Sequence, residues 1–144
     1  MTAEDRGLVT ERVLIALLLF QAVSALLGGL TLVFDPSGAA LVLTLDLLGE
    51  SPFGSYRLPG LILLSVLGLV PCFVAVGIGT GRSWGAAGAV FVGSSLVLWI
   101  VVQVAMIGYQ PWPPPPWPSL QIVYGAVGLA ILALGVGVAA RRHP

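Results

Sequence analysis

This chain contains four long apolar runs without a single Asp, Glu, Lys or Arg. The runs cover residues 13–34, 58–80, 84–108 and 120–140. At about 1.5 Å per residue, each is long enough to cross the roughly 30 Å hydrocarbon core of a bilayer. Because an α-helix satisfies its own backbone hydrogen bonds in lipid, the runs predict four transmembrane helices.

The composition supports the same fold class. Charged residues make up 8% of the chain, whereas soluble domains contain about 25%. We therefore predict one domain, an all-α membrane protein built as an antiparallel four-helix bundle in contact with membrane lipids. The formal net charge is zero, which argues against a nucleic-acid partner.

The arginines predict the orientation of the bundle. With the N-terminus in the cytoplasm, the segments on that side hold five of the six basic residues, and the outer segments hold only Arg57. An excess of basic residues marks the cytoplasmic side. We expect a multi-pass protein of the cytoplasmic membrane with both termini inside and with Asp35, Asp46 and Glu50 outside.

A cleaved signal peptide is the competing interpretation of the first run. Arg6 and Arg12 precede an apolar stretch, and Ala22-Val23-Ser24 resembles a cleavage site. The apolar run continues past that site to Phe34, beyond the usual length of a signal peptide, so we favour an uncleaved helix.

The first outer loop covers residues 35–57. Asp35-Pro36-Ser37-Gly38 is typical of a turn, and the apolar run 41–48 is too short to span. We expect a short helical turn that Thr44 caps and that ends near Gly49, lying along the outer surface or covering the end of the bundle.

The second outer loop, residues 109–119, is rich in proline and predicts a polyproline II rod. Tyr109, Trp112 and Trp117 are typical of the aromatic belt at a lipid–water interface. One interpretation is a docking site for a partner that binds proline-rich segments. The interpretation that we favour is a stiff connection with tryptophan anchors.

Five side chains within the spans are candidates for a functional site: Gln21, Trp99, Gln103, Gln121 and Tyr124. On a helical wheel Gln21 shares a face with Ser24, Ala25 and Gly28, and Ser95 shares one with Trp99. One hypothesis is an outward-facing polar pocket among spans one, three and four. The other is that these groups hydrogen-bond between helices and serve packing, each contributing about 0.6–2 kcal/mol.

Two further patterns concern helix packing. Small residues recur at four-residue spacing in three spans, which indicates close helix contacts in a compact bundle and allows a homo-oligomer. The repeats are Ser24/Gly28, Gly85/Ala89/Gly93 and Ala133/Gly137. Pro71 predicts a kink in span two, because it lacks an N–H and clashes with the carbonyl of Leu67.

Missing residues exclude several classes of membrane enzyme. Cys72 is the single cysteine and His143 the single histidine, so paired-thiol oxidases and haem proteins with two histidine ligands in their spans are excluded. Glu11 lies at the cytoplasmic edge beside Arg12, where we expect an interfacial ion pair rather than proton exchange. We expect no cofactor, no metal and no enzymatic activity.

Several short segments together carry a resemblance: Gly28-Gly29, Asp35-Pro36-Ser37-Gly38, Ser51-Pro52-Phe53, Pro59-Gly60 and Trp99-Ile100-Val101-Val102-Gln103. Over most of its length the chain resembles a group of small four-span bacterial membrane proteins, a likeness that implies no activity. In general plan it is also similar to the DoxX-like membrane proteins.

These observations support two expectations about function. The first is a non-enzymatic accessory or interaction subunit of the cytoplasmic membrane, in contact with other membrane proteins or a second copy of itself. The second is a small transporter or a protein that binds a lipid or small molecule in the outer-side polar pocket.

Overall fold

The computed structural model describes residues 1–49 and 51–142, and Glu50 and His143, named above, lie outside the described residues. Its five α-helices are α1 (Ala3–Phe34), α2 (Arg57–Leu64), α3 (Val70–Gly79), α4 (Gly85–Ile107) and α5 (Leu120–Arg142). A π-helical turn, Ser65–Leu69, joins α2 to α3. The described part of the chain thus contains four helical segments that are long and apolar enough to cross a membrane. The predicted all-α chain with four long apolar helices is confirmed.

The first helix begins at Ala3, ten residues before the apolar run, because polar residues cap it there. The Thr2 hydroxyl accepts a hydrogen bond from the Asp5 N–H at 3.1 Å, and the Asp5 carboxylate accepts one from the Thr2 N–H at 2.8 Å. This reciprocal pair satisfies backbone donors that a helix start leaves free. The helix therefore extends into the polar N-terminal segment.

The four spans form an antiparallel bundle with two different ends. α1 packs against α2, α3 and α5, and α4 packs against α5 and α3. The long connections 35–56 and 108–119 lie at one end, which we call the loop end. The N-terminus, the C-terminal end of α5 and the turn 80–84 lie at the other, which we call the termini end.

Span two is irregular immediately before Pro71, where the sequence predicts a kink. The Val70 N–H donates to the Ser65 carbonyl, five residues back, which is the π-helical pattern. Proline cannot donate to the carbonyl four residues before it, that of Leu67. The π-helical turn is thus found next to a position where the regular α-helical hydrogen bond is missing.

The turn between spans two and three is closed by Gly81. Its φ of +66° is a left-handed conformation that favours glycine. The N–H groups of Gly81 and Arg82 donate to the carbonyls of Ile78 and Gly77, at 3.1 and 2.9 Å. This pattern is a Schellman motif, which ends α3 sharply and allows α4 to return beside it.

The termini half of the bundle contains the main core. Its buried side chains come from α1, α3, α4 and α5 and include Leu14, Leu18, Ile78, Ala89 and Ile131. The helices approach closely where small residues face a neighbour. A Cβ added at Gly93 of α4 would lie 2.5 Å from the backbone nitrogen of Leu132 in α5.

One arginine joins three elements at the termini end. Arg142 of α5 forms a 2.8 Å salt bridge with Glu11 of α1 and donates to the Arg82 carbonyl at 2.9 Å. Glu11 therefore pairs with Arg142 across the bundle, and the expected pairing with its neighbour Arg12 is wrong. A contact between the first and last spans could not be read from local sequence.

The proline-rich connection is a closed loop, and the expected polyproline II rod is wrong. The Trp112 carbonyl accepts a 3.0 Å hydrogen bond from the Leu120 N–H, and the Pro114 carbonyl accepts one from Trp117. Two of its peptide bonds, Trp112–Pro113 and Pro115–Pro116, are cis. The loop must return because α4 and α5 pack side by side, whereas a straight rod would separate the two residues that are bonded here.

Candidate functional site: a cavity at the loop end

A cavity of about 870 Å³ lies in the loop half of the bundle. It forms because the helices diverge there in pairs: α2 packs on α1, whereas the parts of span two beside α4 are the π-helical turn and α3. One wall consists of α1 with α2, and the other consists of α4 with the start of α5. All four spans therefore contribute to one space.

The first loop covers this cavity at the loop end. It contains two short 3-10 turns, Ala39–Leu41 and Leu45–Leu48. Its residues Ala40 to Leu43, with Leu48, line the cavity. Of the two alternatives expected from sequence, the loop covers the end of the bundle. The helical turn after Thr44 is present, but the Thr44 side chain makes no capping hydrogen bond and Gly49 has right-handed helical angles.

Tyr56 holds the first loop in place. The side chain is 4% exposed, its hydroxyl donates to the Thr44 carbonyl at 2.8 Å, and its backbone N–H donates to the Pro36 carbonyl at 2.9 Å. Burial raises the pKa of the Tyr56 phenol above its ordinary value. The phenol therefore stays neutral and keeps donating throughout the physiological range.

Asp35 organises the turn in which this loop begins. Its carboxylate accepts hydrogen bonds from the Ser37 hydroxyl and from the N–H groups of Ser37 and Ala40, which is the pattern of an Asx turn. The hydrogen bond from the Ser37 hydroxyl, followed by that from the Ala40 N–H, lowers the pKa of Asp35 below its ordinary value.

The floor of the cavity is a small buried cluster halfway along the bundle. Ala25, Leu67 and Leu96 are buried there, with Trp99 and Tyr124 packed against them. Beyond this cluster, towards the termini end, lies the main core. The cavity is therefore closed on the side of the termini.

Gln21, the first candidate from sequence, lies at this floor and is 1% exposed. Its Nε2 donates at 3.3 Å to the Leu67 carbonyl, the group that Pro71 leaves without its usual donor. The Oε1 atom of the same amide is buried, and no donor in the described residues reaches it. One half of the amide thus links spans one and two, and the other half is unsatisfied.

Gln121 has a different role, because both the oxygen and the nitrogen of its amide hydrogen-bond to the second loop. Its Oε1 accepts from the Gln110 N–H at 2.8 Å, and its Nε2 donates to the Gly108 carbonyl at 3.1 Å. The Gln110 side chain donates to the Ile107 carbonyl. Gln121 lines the cavity and also holds the end of α4 against the start of α5.

Trp99, Gln103 and Tyr124 are half-buried and line the same cavity. The Tyr124 ring stacks on Phe20 of α1, with ring centroids 5.9 Å apart. Within residues 1–49 and 51–142 no hydrogen bond involves the side chains of these three residues or of Ser95, which also lines the floor.

The structure therefore brings all five sequence candidates to the wall of one cavity. Sequence reasoning missed the part of the wall that comes from span two and the first loop, including Leu63, Val66 and Phe53. These residues are apolar, so no polar marker distinguished them from residues facing lipid. For the part of the wall that the first loop contributes, the sequence offered one signal: the apolar run 41–48 is too short to cross a membrane and must lie elsewhere.

The wall carries no Asp, Glu, Lys, Arg or His among the described residues that line it. In the same part of the chain, no three His, Cys, Asp or Glu residues come together as a metal site would require. The arrangement provides apolar surface and a few neutral hydrogen-bonding groups. Comparison with known proteins finds no matching family model, no similar curated protein and no similar solved structure.

Proposed function

We propose that this membrane protein binds an apolar or amphiphilic small molecule, such as a lipid, in the cavity at its loop end. The observation that carries the proposal is the cavity itself, about 870 Å³ in volume and bounded by all four spans. Small-molecule sites typically measure about 300–1,000 Å³ and are mostly apolar with a few placed polar groups. This wall has that character.

Binding fits the geometry better than transport does. The main core closes the termini half with side chains that are fully buried, such as Leu14 and Leu18. A transporter needs a second arrangement in which this half opens. The proposal is therefore limited to binding.

The proposed orientation places the cavity in the outer half of the cytoplasmic membrane. Arg6, Arg12, Arg82, Arg141 and Arg142 belong to the termini end, and Arg57 begins α2 at the loop end. The positive-inside rule then puts the termini in the cytoplasm. Under this proposal the molecule enters from the outer leaflet.

A role as an accessory subunit rests on composition alone, whereas the cavity is a specific feature. The two roles are compatible, since a subunit of a larger assembly can hold a lipid. Native mass spectrometry of the protein purified in mild detergent separates them: a bound small molecule of defined mass supports the cavity proposal, and a co-purifying protein supports the accessory role.

Filling the cavity tests the proposal directly. Ser95 lines the floor, whereas its neighbour Ser94 is exposed on the outside of α4. Ser95→Phe places a ring in the cavity, and Ser94→Phe places the same ring in lipid. We expect Ser95→Phe to lower the bound amount of co-purifying or added lipid at least tenfold and Ser94→Phe to leave it unchanged.

Both variants must elute as monodisperse protein for this comparison to count. Equal retention of the bound molecule by wild type and Ser95→Phe, or no bound molecule in wild type under any lipid supplement, would show that the cavity is not a binding site.

A further inference from the structure

The polar groups of the cavity wall differ in whether they already have partners. At the loop end, the amide of Gln121 hydrogen-bonds to backbone groups of the second loop, and the amide of Gln110 donates to the Ile107 carbonyl at the end of α4. At the floor, the Gln21 Oε1 atom has no donor among the described residues. Gln21 Oε1 is thus the buried side-chain acceptor of the wall without a partner, whereas the side chains of Ser95, Trp99, Gln103 and Tyr124, which also make no hydrogen bond, are only half-buried.

The amide of Gln21 cannot satisfy this oxygen by turning over. A flipped amide would bring Oε1 against the Leu67 carbonyl, so two acceptors would face each other where Nε2 now donates at 3.3 Å. Leaving a buried acceptor unsatisfied costs about 1–3 kcal/mol. A donor on a bound molecule would recover this energy.

The wall also limits the charge that a bound molecule can carry. None of the described lining residues is Asp, Glu, Lys, Arg or His. A charged group brought to the floor would lose its hydration and find no counter-charge, which is strongly unfavourable. A neutral group with one donor, such as a hydroxyl, matches both conditions.

We infer that the molecule bound in the cavity is an uncharged amphiphile that places a hydroxyl at the floor and donates it to Gln21 Oε1. This inference rests on the proposed binding function and adds the class and the direction of the ligand. The polar end points into the bundle, and the apolar chain extends past Leu63 and Val66 towards the loop end. Because Oε1 has almost no exposed surface in this conformation, a small rotation of the Gln21 side chain accompanies binding.

Three probes that share one oleyl hydrocarbon tail test the inference: oleyl alcohol, its methyl ether and oleyl sulfate. The alcohol has a donor, the ether has only an acceptor, and the sulfate carries a permanent charge. The protein is reconstituted in phosphatidylcholine nanodiscs, because this lipid has no hydrogen-bond donor. Each probe is titrated against lipid, and bound copies are counted by native mass spectrometry.

We expect the alcohol to bind wild type about tenfold more tightly than the ether, the size of effect expected for one hydrogen bond to a buried acceptor. We expect the sulfate to bind more weakly than both. In Gln21→Leu the preference for alcohol over ether should fall to about one. The control Ser94→Leu introduces the same side chain on the outside of α4, away from the cavity, and should keep the preference.

Equal binding of alcohol and ether by wild type would overturn the inference and leave the binding function standing. A preference for the alcohol that survives Gln21→Leu would also overturn it. If neither alcohol nor ether binds wild type, the inference is also overturned, and the comparison of Ser95→Phe with Ser94→Phe decides the proposed function separately. The wild-type comparison needs no variant, so a Gln21→Leu protein that does not fold leaves the inference testable.

Discussion

The two halves of this bundle are built from the same four apolar spans but pack differently. In the termini half, Gly85 of α4 lies so close to α3 that an added Cβ would meet the Gly77 backbone at 3.0 Å. In the loop half, large side chains such as Leu98 and Val102 of the same helix line a cavity. Along α4 the difference follows the small residues, which are concentrated in its first part, between Gly85 and Gly93. Within the loop half, α1 and α2 keep a close contact of the same kind, because an added Cβ at Gly29 would lie 2.7 Å from the Leu64 nitrogen.

The comparison shows what holds helices together in lipid. Apolar side chains gain little from burial against protein when the alternative is hydrocarbon, so association depends on close van der Waals contact. Small residues allow that contact, and a run of large residues does not. A cavity can therefore persist in a chain whose composition would collapse in water.

Disrupting the close contact between α4 and α5 should destabilise the bundle more than any other single change considered below. In Gly93→Leu the new side chain would start 2.5 Å from the Leu132 nitrogen and 2.9 Å from the Gly128 carbonyl oxygen, and backbone atoms cannot move aside cheaply. We expect a loss of about 3 kcal/mol in the free energy of unfolding, the upper end of typical overpacking costs. Thermal unfolding in detergent, followed by size-exclusion chromatography, measures it.

Gly137→Leu is the matched control, because nothing lies within 4 Å of a Cβ built at that position. We expect its unfolding temperature to match that of wild type. Equal destabilisation by the two substitutions would show that the small residues of α4 do not set the packing.

A second test compares leucines in the two halves. Leu18 is 0% exposed in the main core, and Leu27, which lines the cavity, is 63% exposed. Leu18→Ala should lower the free energy of unfolding by about 2 kcal/mol. This is the low end for such truncations, because the unfolded chain also lies in hydrocarbon. Leu27→Ala should change stability by less than about 0.5 kcal/mol. Reversible unfolding in mixed micelles measures the loss of unfolding free energy in both variants. Similar losses would argue against looser packing in the loop half.

The smallest expected effect concerns the salt bridge at the termini end. The side chains of Arg142 and Glu11 are 23% and 32% exposed. We expect a double-mutant cycle with Arg142→Gln and Glu11→Gln to give a coupling energy of about 0.5 kcal/mol, decreasing at high salt. A coupling above about 2 kcal/mol would mean that polar contacts, rather than close apolar packing, dominate this half.

Local sequence predicts most of the fold because crossing a bilayer requires apolar length, which is a local property. The structure has helical segments at all four predicted spans, with ends that differ where polar residues continue a helix, as Thr2 and Asp5 do for α1. The shared face of Gln21, Ser24, Ala25 and Gly28 follows from helical periodicity, and all four residues line the cavity.

Features that depend on tertiary contacts could not be predicted in this way. The pairing of Glu11 with Arg142 joins the two ends of the chain, and the closed second loop depends on how α4 packs against α5. The bond from Gln21 to the Leu67 carbonyl requires knowing that spans one and two are neighbours at that level. Sequence identified each group but not its partner.

The exposed leucines beside the cavity bear on how a guest would reach it. Leu27 and Leu98 are each 63% exposed, and both line the cavity, so its sides adjoin the surrounding hydrocarbon while the first loop covers its end. A guest arriving through these sides would be drawn from the reservoir dissolved in the membrane. Occupancy would then follow the partition coefficient of the guest, and a molecule almost insoluble in water could still fill a site of modest intrinsic affinity.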